Sequence, residues 1–389
     1  MSLWCPRLAA PGPSRCPPES DAAMHTADLF EGTAPAVQAL NPADATGFEV
    51  GWDHAHYRLT PPPQQLEVAN PVRQGWQAGT AVFGTRTLMP TPHVRKWLQL
   101  RLNAWRRGRA FEGVQVTPHF LAQIDVPVCP ITRLKLSHAS GAGSDASVDR
   151  VCNQAGYAAG NLAVISTRAN QAKADLGWQD ALDVVRQLEA SGLDTVDGLT
   201  AVHWTRLGVL MSFVTPLPHA EAARVPLLVL PPNRLRLLNA VQALQAVLTL
   251  AFTQAQAVPR LRELIAQLPA PSRHDFQVLM LTLQARRLAI GMQTSGIDLR
   301  HALEDLWTDA AVNRRWQRFA LQLDETDCDL LVRTAARKGL GGKAWQWLPR
   351  AAATEGWALA TAGYIGPRPG WMRARPAAKR ASDAPNIAA

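Results

Sequence analysis

The feature that most constrains the fold is a short stretch in which two strand patterns are followed at once by a helix pattern. Residues 147–152 (SVDRVC) alternate in the manner of a half-buried strand, and residues 153–161 contain turn chemistry rich in Asn and Gly. Residues 162–166 (LAVIS) form a β-branched apolar run, and residues 167–175 have the polar spacing of a short helix with Thr167 near its cap. The order strand, turn, strand, helix predicts a small hairpin continued by a helix.

This stretch resembles the HNH, or ββα-metal, nuclease superfamily over about residues 128–175. The family carries an Asp-His pair at the end of the first strand, an Asn opening the second, and a His or Asn on the helix, often followed by Lys. The matching positions here are, in chain order, Asp149-Arg150, Asn161, Asn170 and Lys173. The segment CPIT before the hairpin and the spacings S-x-D-R and G-Y…G-N are similar to a phage-type variant of the family.

The resemblance implies a site that holds Mg²⁺ or another divalent cation. Asp149 and Asn170 would supply carboxylate and carboxamide oxygens, which hard cations prefer. Asn161 would orient the site, while Arg150 and Lys173 would contact phosphate. The predicted chemistry is hydrolysis of a phosphodiester bond, with the ion stabilising the leaving oxygen.

One position departs from the family pattern, because Arg150 stands where the family has its general base, a histidine. A guanidinium cannot accept a proton at any ordinary pH. His138, in the Gly/Ser-rich loop before the hairpin, is the substitute base that we name, because the pKa of histidine suits that role. Tyr157 and His119 are the alternatives, and a site that has lost cleavage is another.

The charge of the chain favours a polyanionic partner. Lys and Arg number 40 against 31 Asp and Glu, a formal net charge of +9. Nucleic acid is the first candidate, DNA ahead of RNA, and an anionic membrane the second. A predicted amphipathic helix at 92–107 places Arg95, Lys96, Arg106 and Arg107 on a polar side with no neutralising acid. The alternative interpretation is a surface helix whose charges are merely solvated.

The predicted fold class is α+β, with the HNH-like module embedded between a small mixed N-terminal region and a mostly α-helical C-terminal domain. The predicted divisions are a disordered leader (1–45), the mixed region (46–113), the module (114–176), the helical domain (177–365) and a disordered basic tail (366–389). Five widely spaced cysteines without C-x-x-C indicate a reducing compartment rather than disulfides or a zinc ribbon. No run of 18 apolar residues occurs, so a cytoplasmic protein without a membrane partner is expected.

Three functions remain open at this point. The leading one is a divalent-metal-dependent endonuclease acting on DNA. The second is a non-catalytic nucleic-acid-binding protein that retains the HNH fold, and the third is a helical protein-interaction protein with the module as a structural insert. The D-H-x-H at residues 53–56 resembles another HNH branch but lacks the cysteine knuckle of that branch, so these histidines are interpreted as structural.

Overall fold

The first described helices share one start signal, a capping side chain followed directly by proline. In the computed structural model, which describes residues 41–254, 257–291, 293–340 and 345–366, these helices are α1 (Pro42–His56), α2 (Pro71–Phe83), α3 (Pro92–Arg106) and α4 (Pro118–Ile124). Asn41, Asn70, Thr91 and Thr117 accept hydrogen bonds from backbone N–H groups of the first turns, and each is followed by proline.

This order corrects the predicted N-terminal region. The region is helical rather than mixed, and α1 begins before the boundary that the sequence suggested at residue 45. The remainder of the predicted leader and the tail from residue 367 lie outside the described residues. Gly51 allows α1 and α2 to pack closely, since a Cβ at this position would lie 1.9 Å from the carbonyl oxygen of Val72.

The predicted hairpin is present and is continued directly by a helix. Strands β1 (Ala146–Arg150) and β2 (Leu162–Ser166) pair antiparallel, with Ala146 opposite Ser166 and Arg150 opposite Leu162. Helix α5 (Thr167–Lys173) begins at the end of β2, where Ser166 accepts a hydrogen bond from the Ala169 N–H. We call β1, the loop 151–161, β2 and α5 together the hairpin–helix unit.

The remaining described chain is mostly helical. Its helices are α6 (Trp178–Ser191), α7 (Ala201–Ser212), α8 (His219–Ala222), α9 (Ala240–Ala251), α10 (Ala257–Arg262), α11 (Ser272–Ile290), α12 (Gly296–Asp305), α13 (Ala310–Ala320), α14 (Glu325–Arg337) and α15 (Arg350–Ala353). Short 3₁₀ helices occupy Pro63–Gln65, Glu263–Gln267, Leu306–Thr308 and Leu359–Thr361. The fold class is therefore α+β, as predicted.

A second, very short sheet brings the C-terminal segment to the hairpin–helix unit. Strand β3 (Arg236–Leu237) pairs parallel with β4 (Gln346–Trp347), and the Arg236 N–H donates to the Gly160 carbonyl. Trp357 is buried and donates from Nε1 to the Ala159 carbonyl at 3.1 Å. One continuous apolar core includes both the hairpin and the later helices. In the described residues, the core is therefore not divided at the predicted domain boundary after residue 176.

No described helix is long and apolar enough to cross a bilayer.

Candidate functional site

The hairpin–helix unit brings together four polar side chains, two on β1 and two on α5. Ser147 and Asp149 lie on the same face of β1, since side chains two residues apart share a face. Asn170 and Lys173 lie one turn apart on α5. The Asn170 amide nitrogen donates to Ser147 Oγ at 2.7 Å, and Lys173 Nζ donates to Asp149 Oδ1 at 3.1 Å. Helix α5 therefore covers the polar face of β1.

Lys173 has the most unusual environment in the unit, because its side chain is 0% exposed. Besides Asp149, its ammonium donates to the Arg150 carbonyl at 2.8 Å and to Asn153 Oδ1 at 2.9 Å. Three acceptors use all three of its N–H groups. Lys173 differs here from the expectation that it contacts phosphate, since it does not reach solvent.

The expected divalent ion does not fit these residues while Lys173 is in place. The charge of Asp149 is already balanced by the ammonium. Asn170 turns its amide nitrogen toward Ser147, and the described residues contain no group of three or more His, Cys, Asp or Glu that could hold a metal ion. One observation points the other way: Asp149 Oδ2 is buried and has no hydrogen-bond partner among the described residues.

Asn161 and Arg150 organise the loop between the strands. Asn161 is fully buried; its Oδ1 accepts from the Cys152 N–H, and its Nδ2 donates to the carbonyls of Cys152 and Gly156. Arg150 donates from Nη1 to the Asn153 and Ala155 carbonyls at 2.9 and 2.7 Å. Its guanidinium also lies 5.2 Å from the centre of the Tyr157 ring. The side chains of Asn161 and Arg150 therefore both form hydrogen bonds with the backbone around this loop.

The histidines named as substitute bases lie apart from this cluster. His138 is exposed in the loop that precedes β1, and no hydrogen bond or ion pair of the described chain joins it to Asp149, Asn170 or Lys173. His119 is hydrogen-bonded to Gln123 on α4 instead. Tyr157 is buried against Arg150 and Phe111. Among the described residues, none of the three candidate bases is hydrogen-bonded to Asp149, Asn170 or Lys173.

The loop 137–145 encloses the carboxylate of Asp145. Its oxygens accept from the hydroxyls of Ser140 and Ser137 at 2.6 and 2.8 Å, and from the backbone N–H groups of Ser140 and Gly141. These bonds, led by that of Ser140, lower the pKa of Asp145 to about 2. Burial lowers the pKa of Lys96 on α3, and the negative charge of Asp145 partly offsets this lowering. The charge of Asp145 in this loop therefore acts on a lysine of the basic helix α3.

The low pKa of Asp145 makes a prediction about acid. Because the folded-state pKa lies below the ordinary 3.8, the loop gains stability from this group above pH 3.8 and loses it as the pH falls toward about 2. A ¹³C titration of the carboxylate should give a midpoint near that value. Replacing the first donor, Ser140→Ala, should raise it, whereas a wild-type midpoint at 3.8 would contradict the geometry.

Helix α3 separates its arginines into one structural residue and three exposed ones. Arg101, which breaks the amphipathic pattern, is buried and pairs with Asp53 and Glu49 of α1. Arg95, Arg106 and Arg107 are exposed, and none forms a salt bridge with a described residue. The pairing explains the anomalous position and leaves the remaining charge on the outer face.

The D-H-x-H segment has a structural place. It lies in α1, where Asp53 is the partner of Arg101. His54 is buried and hydrogen-bonded to the Val50 carbonyl at 2.7 Å, and burial lowers the pKa of its ring. These contacts give Asp53 and His54 structural roles, as the sequence analysis interprets the histidines.

Two contributors to the unit were missed in the sequence. Asn153 carries only a turn signal in the sequence, yet its side chain accepts from Lys173 and donates to the carbonyls of Ala174 and Leu176. Trp357 lies 198 residues from its partner Ala159, and no local pattern connects them. The first contact has no local signal either, because Asn153 is needed as an acceptor only once the tertiary structure buries Lys173.

No protein-family model, curated protein or solved structure matches this chain.

Proposed function

We propose that this chain is a nucleic-acid-binding protein, with DNA favoured over RNA, whose hairpin–helix unit is an HNH-like module that binds without cutting. The observation that carries the proposal is the contrast on α3 between the paired Arg101 and the exposed, unpaired Arg95, Arg106 and Arg107. Exposed guanidinium groups without acidic partners are suited to phosphate oxygens. A net charge of +9 adds a long-range attraction of the same sign.

The location of α3 supports a surface shared with the hairpin–helix unit. Lys96, on the turn next to Arg95, interacts with Asp145, two residues before Ser147 on β1. Exposed Arg168 on α5 packs against Gly143 of the same loop. Cationic side chains from α3 and α5 thus flank the loop 137–145, and a phosphate backbone lying over it would meet both.

The absence of cleavage is inferred from Lys173 and Arg150. An ammonium occupies the position beside Asp149, and an arginine stands where the family has its base. A divalent-metal-dependent endonuclease remains the second candidate, and the observation in its favour is the unpartnered Oδ2 of Asp149. The two candidates differ in one result, the fate of the phosphodiester bond.

Salt-dependent DNA binding tests the proposal. Fluorescence anisotropy of a short labelled duplex should show an affinity that falls steeply between about 50 and 200 mM salt. The triple variant Arg95→Ala/Arg106→Ala/Arg107→Ala should weaken binding by about tenfold or more and reduce the salt slope by up to about 2.7, or ~0.9 for each lost phosphate contact. A matched RNA duplex in the same assay measures the preference for DNA.

A control variant removes the same number of positive charges from a different part of the protein. Arg224, Arg262 and Arg314 are exposed in the helical region, and their triple alanine variant should leave affinity nearly unchanged. Equal losses in both triple variants would reduce the effect to net charge, and no retention of DNA at low salt would favour the protein-interaction alternative. Plasmid nicking in Mg²⁺ or Mn²⁺ that Asn170→Ala abolishes would establish the endonuclease instead.

A further inference from the structure

The surroundings of the Lys173 ammonium are those of a bound cation. Its three acceptors are a carboxylate oxygen of Asp149, the peptide carbonyl of Arg150 and the carboxamide oxygen of Asn153, at 3.1, 2.8 and 2.9 Å. A fourth oxygen, Asp149 Oδ2, is buried and has no hydrogen-bond partner in the part of the chain that the structure describes. Carboxylate, carbonyl and carboxamide oxygens are the donor set that Ca²⁺ takes in proteins.

These oxygens come from separate parts of the hairpin–helix unit. Asp149 and Arg150 end β1, and Asn153 lies in the loop 151–161. The ammonium reaches all of them from the last residue of α5. Asp149 is only 5% exposed, so an ionised carboxylate there requires a positive partner. The unit therefore needs a cation at this position to hold strand, loop and helix together.

We propose that Lys173 is an internal replacement for a bound metal ion, and that shortening its side chain turns the vacated space into a Ca²⁺ site. The inference goes beyond the proposed function and is independent of whether the chain binds DNA. Ca²⁺ is chosen because it accepts irregular oxygen geometry more readily than Mg²⁺, which demands near-ideal octahedra. With one carboxylate in the site, affinity is expected in the range of about 10⁻⁴–10⁻³ M.

Thermal unfolding of Lys173→Ala with and without Ca²⁺ tests the inference. The variant should unfold at a lower temperature than the wild type, because Asp149 loses its counter-charge. About 10 mM CaCl₂ should then raise the Tm of the variant by at least about 2 °C, since a ligand that binds only the folded state stabilises it. Isothermal titration of the folded variant with CaCl₂ should give one site.

Three controls separate the site from general effects of the ion. Lys173→Met keeps the space filled with an apolar chain and should not respond to Ca²⁺. Lys173→Ala/Asp149→Asn removes the charge on the carboxylate and should lose the response. The Tm of the wild type should change with neither CaCl₂ nor EDTA, because its ammonium already fills the site.

Each contrary result overturns the proposal. A Ca²⁺ response of Lys173→Ala no larger than that of Lys173→Met would show that no site is opened. A fall in wild-type Tm on adding EDTA would show that a metal is bound beside Lys173. If Lys173→Ala fails to fold, it is refolded with CaCl₂ present; folding under that condition alone supports the site, and failure in both conditions contradicts it. Because the assay contains no nucleic acid, its outcome is separate from that of the DNA-binding test.

Discussion

Asp149→Ala should lower the free energy of unfolding by about 3–5 kcal/mol, because it leaves the buried Lys173 ammonium without its counter-charge. The loss is large because the lysine side chain is 0% exposed, so its ammonium is left buried without an opposite charge. Urea denaturation followed by circular dichroism measures it. Because the expected effect is this large, a loss of activity in Asp149→Ala would not by itself assign a catalytic role to Asp149, since unfolding would have the same result.

The double variant Asp149→Ala/Lys173→Met makes the prediction specific to the pair. Removing both charges should lower the free energy of unfolding by less than the sum of the two single effects. Each single substitution leaves one buried charge without its partner, whereas the double variant leaves none. Asp175→Ala, an exposed carboxylate two residues beyond Lys173, should change stability by no more than about 0.5 kcal/mol. Strict additivity of the two single effects would contradict a direct Asp149–Lys173 interaction.

Trp357→Ala should destabilise the protein by about 3–5 kcal/mol, the range for removing a fully buried aromatic side chain. The indole fills core space beside the hairpin–helix unit and donates to the Ala159 carbonyl, while its own carbonyl accepts from the Gly156 N–H. Chemical denaturation gives the total. Hydrogen exchange should show that the Gly156 and Asn161 amides lose protection first.

The neighbouring Leu359→Ala is the matched control, since Leu359 is exposed and should cost no more than about 0.5 kcal/mol. Trp357→Phe keeps most of the apolar volume and should show mainly the loss of one hydrogen bond, about 1 kcal/mol. If Trp357→Ala left the exchange of the loop 151–161 unchanged, the C-terminal segment would be a separate structure rather than part of the unit's support.

The elements of the hairpin–helix unit were predictable because their signals are local. The predicted strand 162–166 is β2, and the predicted helix from residue 167 is α5. The first strand ends at Arg150 instead of residue 152, because Asn161 Oδ1 takes the Cys152 N–H out of the ladder and into the turn. The basic helix α3 was also predicted, from its amphipathic pattern.

The N-terminal helices were missed although their start signals are present. Asn41 and Asn70 each precede a proline, the same cap-and-proline pattern with which α3 begins at Thr91. Glycines at 51 and 75 and the aromatic residues of α1 obscured the helical periodicity, because close packing of α1 on α2 demands small residues where an isolated helix would disfavour them.

The roles of charged residues could not be derived from the same patterns. Lys173 and Arg101 both sit at helix positions that suggest exposed cations, yet each is buried against an acid 24 and 48 residues away respectively. Arg95 on the same helix as Arg101 remains exposed. What distinguishes them is whether another segment supplies acceptors and excludes water.

The sequence by itself determined where the strands and helix of the hairpin–helix unit and the basic helix α3 lie, since backbone hydrogen bonding and side-chain periodicity act over a few residues. Only the tertiary structure decided which cation stays in solvent and which becomes part of the core. That choice depends on desolvation and on partners brought together from distant positions, as Lys173 is to Asp149 and Trp357 is to Ala159.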